Sequence, residues 1–398
     1  YLSYRFKKIE LERFAIDIDK GSFKFKGTLN FYKEDPVYGN GISGTVDATF
    51  QPTFQLQASA IFGSRNGVRY WYVDALANFG SGIPVFSGVA IYSFGGGAYY
   101  HMKMDTEGVG SPLGKTVSGI VYVPDERTGF GFKATIGFGI QPGKKAFNAD
   151  ITYEMAFNTG GGVKYINFRG NGYFMTNPVP TNLGKLQETA KKLAAVQKKL
   201  GGGNLNESST AAEELYGSPQ TAGARAQIWA SVMIHFDFDN NSLHGNLKAY
   251  VNVAGGLLTG GGANGLAGEA VLHFAPGEWY IYIGRPEYEN RFALKVLGIA
   301  TLDAYFVIGT KIPGSPPPPS NVSSILGGID LDYMKELNAL GDGAGVGFGA
   351  SFRVDTGDLT FLMFYGRFAA GLGFDIMLKN YGDAECVGEG PLGINGWY

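Results

Sequence analysis

Residues 269–284 read Glu-Ala-Val-Leu-His-Phe, then Ala-Pro-Gly-Glu, then Trp-Tyr-Ile-Tyr-Ile-Gly. Two runs of aromatic and branched residues around a Pro-Gly segment specify an antiparallel hairpin, because such side chains suit a pleated surface and the intervening residues favour chain reversal. Alternation puts Trp279, Ile281 and Ile283 on one face and Tyr280 and Tyr282 on the other. The same grammar recurs in 14–31, 58–73, 153–168 and 351–365. The fold class is therefore all-β: antiparallel hairpin-connected strands in extended sheets, a sandwich or an open wall, with one small helical insertion.

Composition agrees. Among 398 residues there are 62 glycines, 14% aromatic and only 17% charged residues, which fits strands and glycine turns and excludes a disordered or coiled-coil chain. A formal net charge of −2 gives no global attraction to nucleic acid or to an anionic membrane. Cys386 is the single cysteine and so has no partner within the chain. No run reaches the roughly 18 apolar residues of a membrane helix, while a transmembrane β-barrel stays open because its strands are short and alternating. The chain starts at Tyr1 without a signal-like segment and is read as a piece of a longer protein.

Along the chain, Phe14, Ile16 and Ile18 share a face continued by Phe23 and Phe25, and a four-residue turn sets Asp17 opposite Lys24. Strands follow through 39–62, at Tyr70, Trp71 and Tyr72, and over 85–94, before a polar loop at 101–115. Asn177-Pro178-Val179-Pro180 stops the sheet. The period then becomes helical, with Leu183, Leu186, Ala190, Leu193 and Leu200 on one stripe and a lysine-rich end. Three regions result: a β region at 1–180, a helical insertion at 181–223 and a β region at 224–398. In the latter, prolines 316–319 form an extended strut and 333–340 a short helix. In 359–365, Leu359, Phe361, Met363 and Tyr365 alternate with Leu362 and Phe364, so both faces are apolar and must be covered. A second sheet, another chain and lipid are the available covers, in that order.

Candidate chemistry is sparse. Asp237, Asp239 and Asn241 imitate a calcium loop, but Ser242 and Lys248 stand where glycine and glutamate are required. His101, His235, His244 and His273 lack the spacing of a zinc motif and would have to converge in space. The glycines of 343–349 lack the helix and the Lys-Ser/Thr of a phosphate loop; alternate glycines in a strand instead mark a face that a backbone or large aromatic approaches. No nucleophile elbow is present. The expectation is a non-enzymatic protein with no cofactor and no metal. Tyr70, Trp71, Tyr72, Trp279, Tyr280 and Tyr282 are the candidate aromatic contact surface, and Leu359, Phe361, Leu362, Met363, Phe364 and Tyr365 the candidate packing or assembly surface.

The segments Ile312-Pro-Gly-Ser-Pro-Pro-Pro-Pro-Ser-Asn-Val-Ser-Ser-Ile-Leu-Gly, Gly345-Val-Gly-Phe-Gly-Ala-Ser-Phe, Gly371-Leu-Gly-Phe-Asp-Ile-Met-Leu-Lys and Pro391-Leu-Gly-Ile-Asn-Gly-Trp-Tyr resemble very large uncharacterised surface proteins of Bacteroidota, most specifically over 270–398. The resemblance implies export by the type IX secretion route of gliding-type bacteria, an extracellular or cell-surface location, and a Cys386 disulfide partner beyond residue 398. The function expected is that of a structural scaffold, filament or adhesion element, self-associating or bound to other segments of the same giant protein, with no nucleic-acid partner. A transmembrane β-barrel or outer-membrane channel component is the alternative, and a carbohydrate-binding module the second alternative.

Overall fold

The computed structural model describes residues 12–50, 54–105, 108–117, 119–141, 146–174, 226–253, 256–310, 312–313, 344–356, 359–361, 364–379 and 392–397, with backbone alone for 359–361, 364–365, 379 and 392–397. The helical insertion at 181–223, the proline strut, the helix at 333–340, Cys386, Leu362 and Met363 lie outside them. The described chain is almost wholly antiparallel β-structure. It divides into two units, with the boundary between Ile166 and Asn167.

In the first unit the strands are β1 (Arg13–Asp19), β2 (Phe23–Asp35), β3 (Gly39–Phe50), β4 (Phe54–Arg65), β5 (Val68–Phe86), β6 (Val89–Tyr100), β7 (Met102–Met104), β8 (Tyr122–Pro124), β9 (Thr128–Ile140) and β10 (Phe147–Asn158). Each long strand pairs with the next in an up-and-down meander, with β6 joined to β9 across the excursion that carries β7 and β8. The strand β11 (Val163–Phe174) crosses the unit boundary.

The second unit contains β12 (Ile228–Asp237), β13 (Ser242–Val253), β14 (Leu258–Gly260), β15 (Leu266–Ala275), β16 (Glu278–Ile283), β17 (Phe292–Val296), β18 (Ala300–Thr310), β19 (Ala344–Asp355), β20 (Leu359–Phe361), β21 (Phe364–Gly366), β22 (Ala369–Lys379) and β23 (Leu392–Trp397). The meander runs β12, β13, β15, β16, β18, β19, β22, β23. β14 and β17 pair with each other, and β17 also pairs with β18, so β17 resumes the line of β16 after an excursion at 284–291.

Three sequence expectations change in detail. Asp17 pairs with Lys26 and Asp19 with Lys24, because Gly21 at φ 73° reverses the chain within two residues, Lys20 N–H donating to Phe23 O at 2.9 Å. The run 85–94 is two strands, broken where Gly88 takes φ 79° between β5 and β6. The run 359–365 is not one extended strand, since β20 and β21 pair with each other.

The polarity of the faces is the decisive feature. One cross-strand row of the first unit reads Phe23, Phe50, Phe54, Phe79, and another reads Phe31, Ile42, Phe62, Trp71, Tyr100, Phe130. Between them lie Gly44, Val46, Ala58, Ala60, Ala75, Ala77, Gly96, Ala98 and similar residues, with no charged side chain among the paired positions. This apolar face is the exposed one: Phe14 is 51% exposed, Phe50 and Phe62 45% and Phe94 58%. The opposite face carries Thr45, Ser59, Asp74, Lys133 and Glu154 in one row, the last four of them buried. The second unit repeats the inversion, with Leu243, Leu247 and Val251 of β13 on one side and His244, Asn246, Lys248 and Tyr250 on the other.

Candidate functional site

The polar faces hold the clustered chemistry. In the first unit the excursion 101–127 lies over the polar face, burying Met102, Tyr122 and Val123 with Tyr38, Tyr70, Tyr72 and Tyr99. One hydrogen bond joins it to Tyr38, a second supports Tyr38 from Tyr70, and a third lies within the excursion itself. Tyr38 Oη donates to Tyr122 O at 2.8 Å, Tyr70 Oη donates to Tyr38 O at 2.5 Å, and Asp105 accepts from Gly110 N–H at 2.7 Å. The rings of Tyr72 and Tyr122 sit 4.4 Å apart and those of Tyr99 and Tyr122 5.1 Å.

Glu154 is the hub of this cluster. Its Oε1 accepts from Tyr99 Oη and Tyr122 Oη at 2.8 Å each and from Tyr165 Oη at 3.4 Å. Burial, then the charge of Glu154, pushes the Tyr122 hydroxyl well above its usual range, so the phenol remains a donor. Next to it the Lys133 ammonium, wholly buried, stands 3.3 Å from Asp74 and within 5.6 Å of the Tyr72 and Tyr122 rings. Local sequence makes this reach available: Gly97 occupies the rung between Asp74 and Lys133, and Gly131 the rung between Tyr99 and Ala156. A methyl at Gly131 would fall inside the Tyr99 ring, and one at Gly97 against Tyr72 Oη and Asp74.

At the strand end, Asp125 follows β8 and gathers Thr128 Oγ1 at 2.5 Å and Lys164 Nζ at 3.1 Å. Burial alone would raise its carboxyl; the Thr128 hydroxyl and the Lys164 ammonium together outweigh this and hold it below the usual carboxylate value.

The second unit uses the same device with other residues. The excursion 284–291 lays Arg291 over the polar face, where its wholly buried guanidinium donates to Asp303 Oδ1 at 3.1 Å, Asp375 Oδ1 at 2.6 Å and Pro286 O at 2.9 Å. The rings of Tyr288 and Tyr305 flank it at 4.2 and 4.8 Å. Ser351 and Arg353 complete the shell of Asp303, at 2.6 and 2.8 Å. Gly349 again occupies the rung between Tyr305 and Asp375, which is the close aromatic approach expected of the alternating glycines in 343–349.

The six aromatic candidates do not form one surface. Tyr70 and Tyr72 are 2% and 1% exposed inside the tyrosine cluster, whereas Trp71 points to the apolar face beside Phe130. Trp279 stacks on Phe274 on the apolar face of its own unit, and Tyr280 and Tyr282 stack on each other at 4.5 Å on the polar face. Of the assembly candidates, Leu359, Phe361, Phe364 and Tyr365 are described by backbone only. The calcium-loop mimic is a hairpin turn: Asp237 accepts from Asn240 N–H and Nδ2–H, and Asn241 takes φ 49°. Glu154, Lys133, Asp74, Arg291, Asp303 and Asp375 escaped sequence reasoning because each cluster joins residues up to 84 positions apart. The signal that finds them is the strand register, which sets charged residues in rungs relieved by glycine.

Among the described residues no helix is long and apolar enough to cross a membrane, and no three His, Cys, Asp or Glu side chains are arranged to hold a metal ion. No protein-family model, curated protein or solved structure matches the chain.

Proposed function

We propose that the chain supplies wall strands of a transmembrane β-barrel of the outer-membrane type, with lipid against the apolar face of each unit and the segments 101–127 and 284–291 each folded over the polar face of its own unit. The observation that carries this reading is the inversion of polarity: large apolar side chains are exposed while Asp74, Lys133, Glu154, Arg291 and Asp303 are buried. A water-soluble sheet buries its apolar face and wets its polar one; a hydrocarbon solvent favours the reverse.

Dimensions support it. The two aromatic rows on the apolar face are eight residues apart on β4, from Phe54 to Phe62. That is about 26 Å along a strand and about 20 Å after a tilt of some 40°, the scale of a barrel's apolar band between its aromatic girdles. Backbone groups in hydrocarbon must be paired; the meander of hairpins within each unit pairs those of its inner strands, and barrel closure is what would pair the edges. Lipid thus becomes the preferred cover, ahead of a second sheet or another chain. A segment folded over the polar face in each unit favours a plugged or gated barrel over an open sieve.

Refolding the chain into detergent and reconstituting it with vesicles tests the reading. Flotation with the vesicles, resistance to alkaline extraction and an electrophoretic mobility that changes on heating are the expected results. A monodisperse, folded protein in detergent-free buffer would refute it and return the scaffold reading to first place.

A further inference from the structure

Register in the second unit places three of the chain's four histidines in a single cross-strand row on the polar face. His235 of β12 pairs with His244 of β13, His244 with His273 of β15, and His273 with Tyr280 of β16. The Nδ1 atoms of His244 and His273 face each other at 3.4 Å, with ring centroids 5.5 Å apart and planes at 60°. Two imidazole nitrogens that share a proton usually sit closer than this. The spacing does match the bite of two imidazoles on one tetrahedral ion, since metal–nitrogen bonds of about 2.05 Å at about 109° separate the nitrogens by about 3.3 Å.

The surroundings are ordered. The His273 ring stacks on Tyr280 with centroids 5.0 Å apart. On the other side His235 Nδ1 donates to Asn167 Oδ1 at 2.5 Å, which fixes that ring beside His244 in the way an outer-shell carbonyl orients an imidazole. All three rings are partly buried, in reach of solvent.

We infer that His244 and His273 form a two-histidine site for a divalent transition ion of the imidazole-preferring class, Cu²⁺, Ni²⁺ or Zn²⁺, through their Nδ1 atoms. Each ring would bind as the neutral tautomer that carries its proton on Nε2 and offers the Nδ1 lone pair to the ion, so no oxidation or reduction is involved. Since no third His, Cys, Asp or Glu joins the pair among the described residues, the remaining coordination positions belong to water or to a ligand carried by the ion. Imidazole sites follow the order in which Cu²⁺ binds more tightly than Ni²⁺ or Zn²⁺. His101, in the first unit, stays outside the site, its Nδ1 held at 2.9 Å from Arg69 O.

The test is titration of the full refolded chain with Cu²⁺ and with Zn²⁺, followed calorimetrically, together with the Cu²⁺ electron paramagnetic resonance spectrum. One ion per chain is expected, with nitrogen splitting from two imidazoles. His244→Asn and His273→Asn should each weaken binding at least tenfold, His101→Asn should leave it unchanged, and His235→Asn should change it less than threefold. An unaltered affinity in His244→Asn, or a wild-type spectrum without imidazole nitrogen, would overturn the assignment. A loss in His235→Asn equal to that in His244→Asn would overturn the two-ligand form. The wild-type spectrum stands whether or not the variants fold.

Discussion

At the scale of residues, the buried ions decide where the structure is vulnerable. Glu154, 1% exposed, is surrounded by three phenols and faces Lys133 across the sheet. Glu154→Ala leaves donors without an acceptor, and unfolding in urea should show a loss of about 3 kcal/mol. Arg291→Met should cost a similar amount, about 3–5 kcal/mol, because it takes the guanidinium from the buried Asp375 and one of two guanidinium partners from the buried Asp303. Adding Asp303→Asn and Asp375→Asn to Arg291→Met should recover much of that loss, while simple additivity of the three changes would contradict the network. Asp125 supplies a pH signature. Its carboxyl is held below the ordinary 3.8 in the folded chain, so its contribution is complete above that pH and disappears as pH falls through the lower folded value. Proteolysis or hydrogen exchange of 101–127 should accelerate below about pH 3.8, and Asp125→Asn should abolish that step. None of these roles is legible from one residue's neighbours in sequence, since Lys133 reads there as an isolated charge in Phe-Gly-Phe-Lys-Ala-Thr.

At the scale of elements, the hairpins were legible and the meaning of their faces was not. Alternation in 14–18 or in 278–283 states which residues share a face, and the observed registers agree. It does not say which face meets water, because a barrel strand and a soluble strand share the period of two. Glycine-rich strands carry the additional information: Gly97, Gly131 and Gly349 leave room for Lys133, Tyr99 and Asp375 to cross a rung. Gly131→Ala should therefore destabilise by about 1–3 kcal/mol by forcing the Tyr99 ring from Glu154, with denaturant midpoint as the readout; an unchanged midpoint would mean that the ring is not held there. Neighbouring positions on β3 separate the faces directly. Val46→Lys, on the apolar side, should cost about 2–4 kcal/mol in a bilayer, whereas Thr45→Lys, at a position of the polar face that is itself exposed, should cost less than about 1 kcal/mol. Equal effects would remove the distinction.

At the scale of the whole molecule, a composition of 62 glycines, 14% aromatic residues and few charges is common to soluble walls of sheet and to membrane barrels. Burial, a property of the folded chain, separates them. The tryptophans offer the sharpest measurement because they fall on both sides of the sheet. Trp71 and Trp279 lie on the apolar faces, and Trp229 lies on the polar face, 5% exposed between Tyr173 and Tyr250. In single-tryptophan chains made by Trp→Phe replacement and reconstituted in vesicles, lipids brominated on the acyl chain should quench Trp71 and Trp279 strongly and Trp229 weakly. Quenching of Trp229 alone, or of none of the three, would contradict a lipid-covered apolar face.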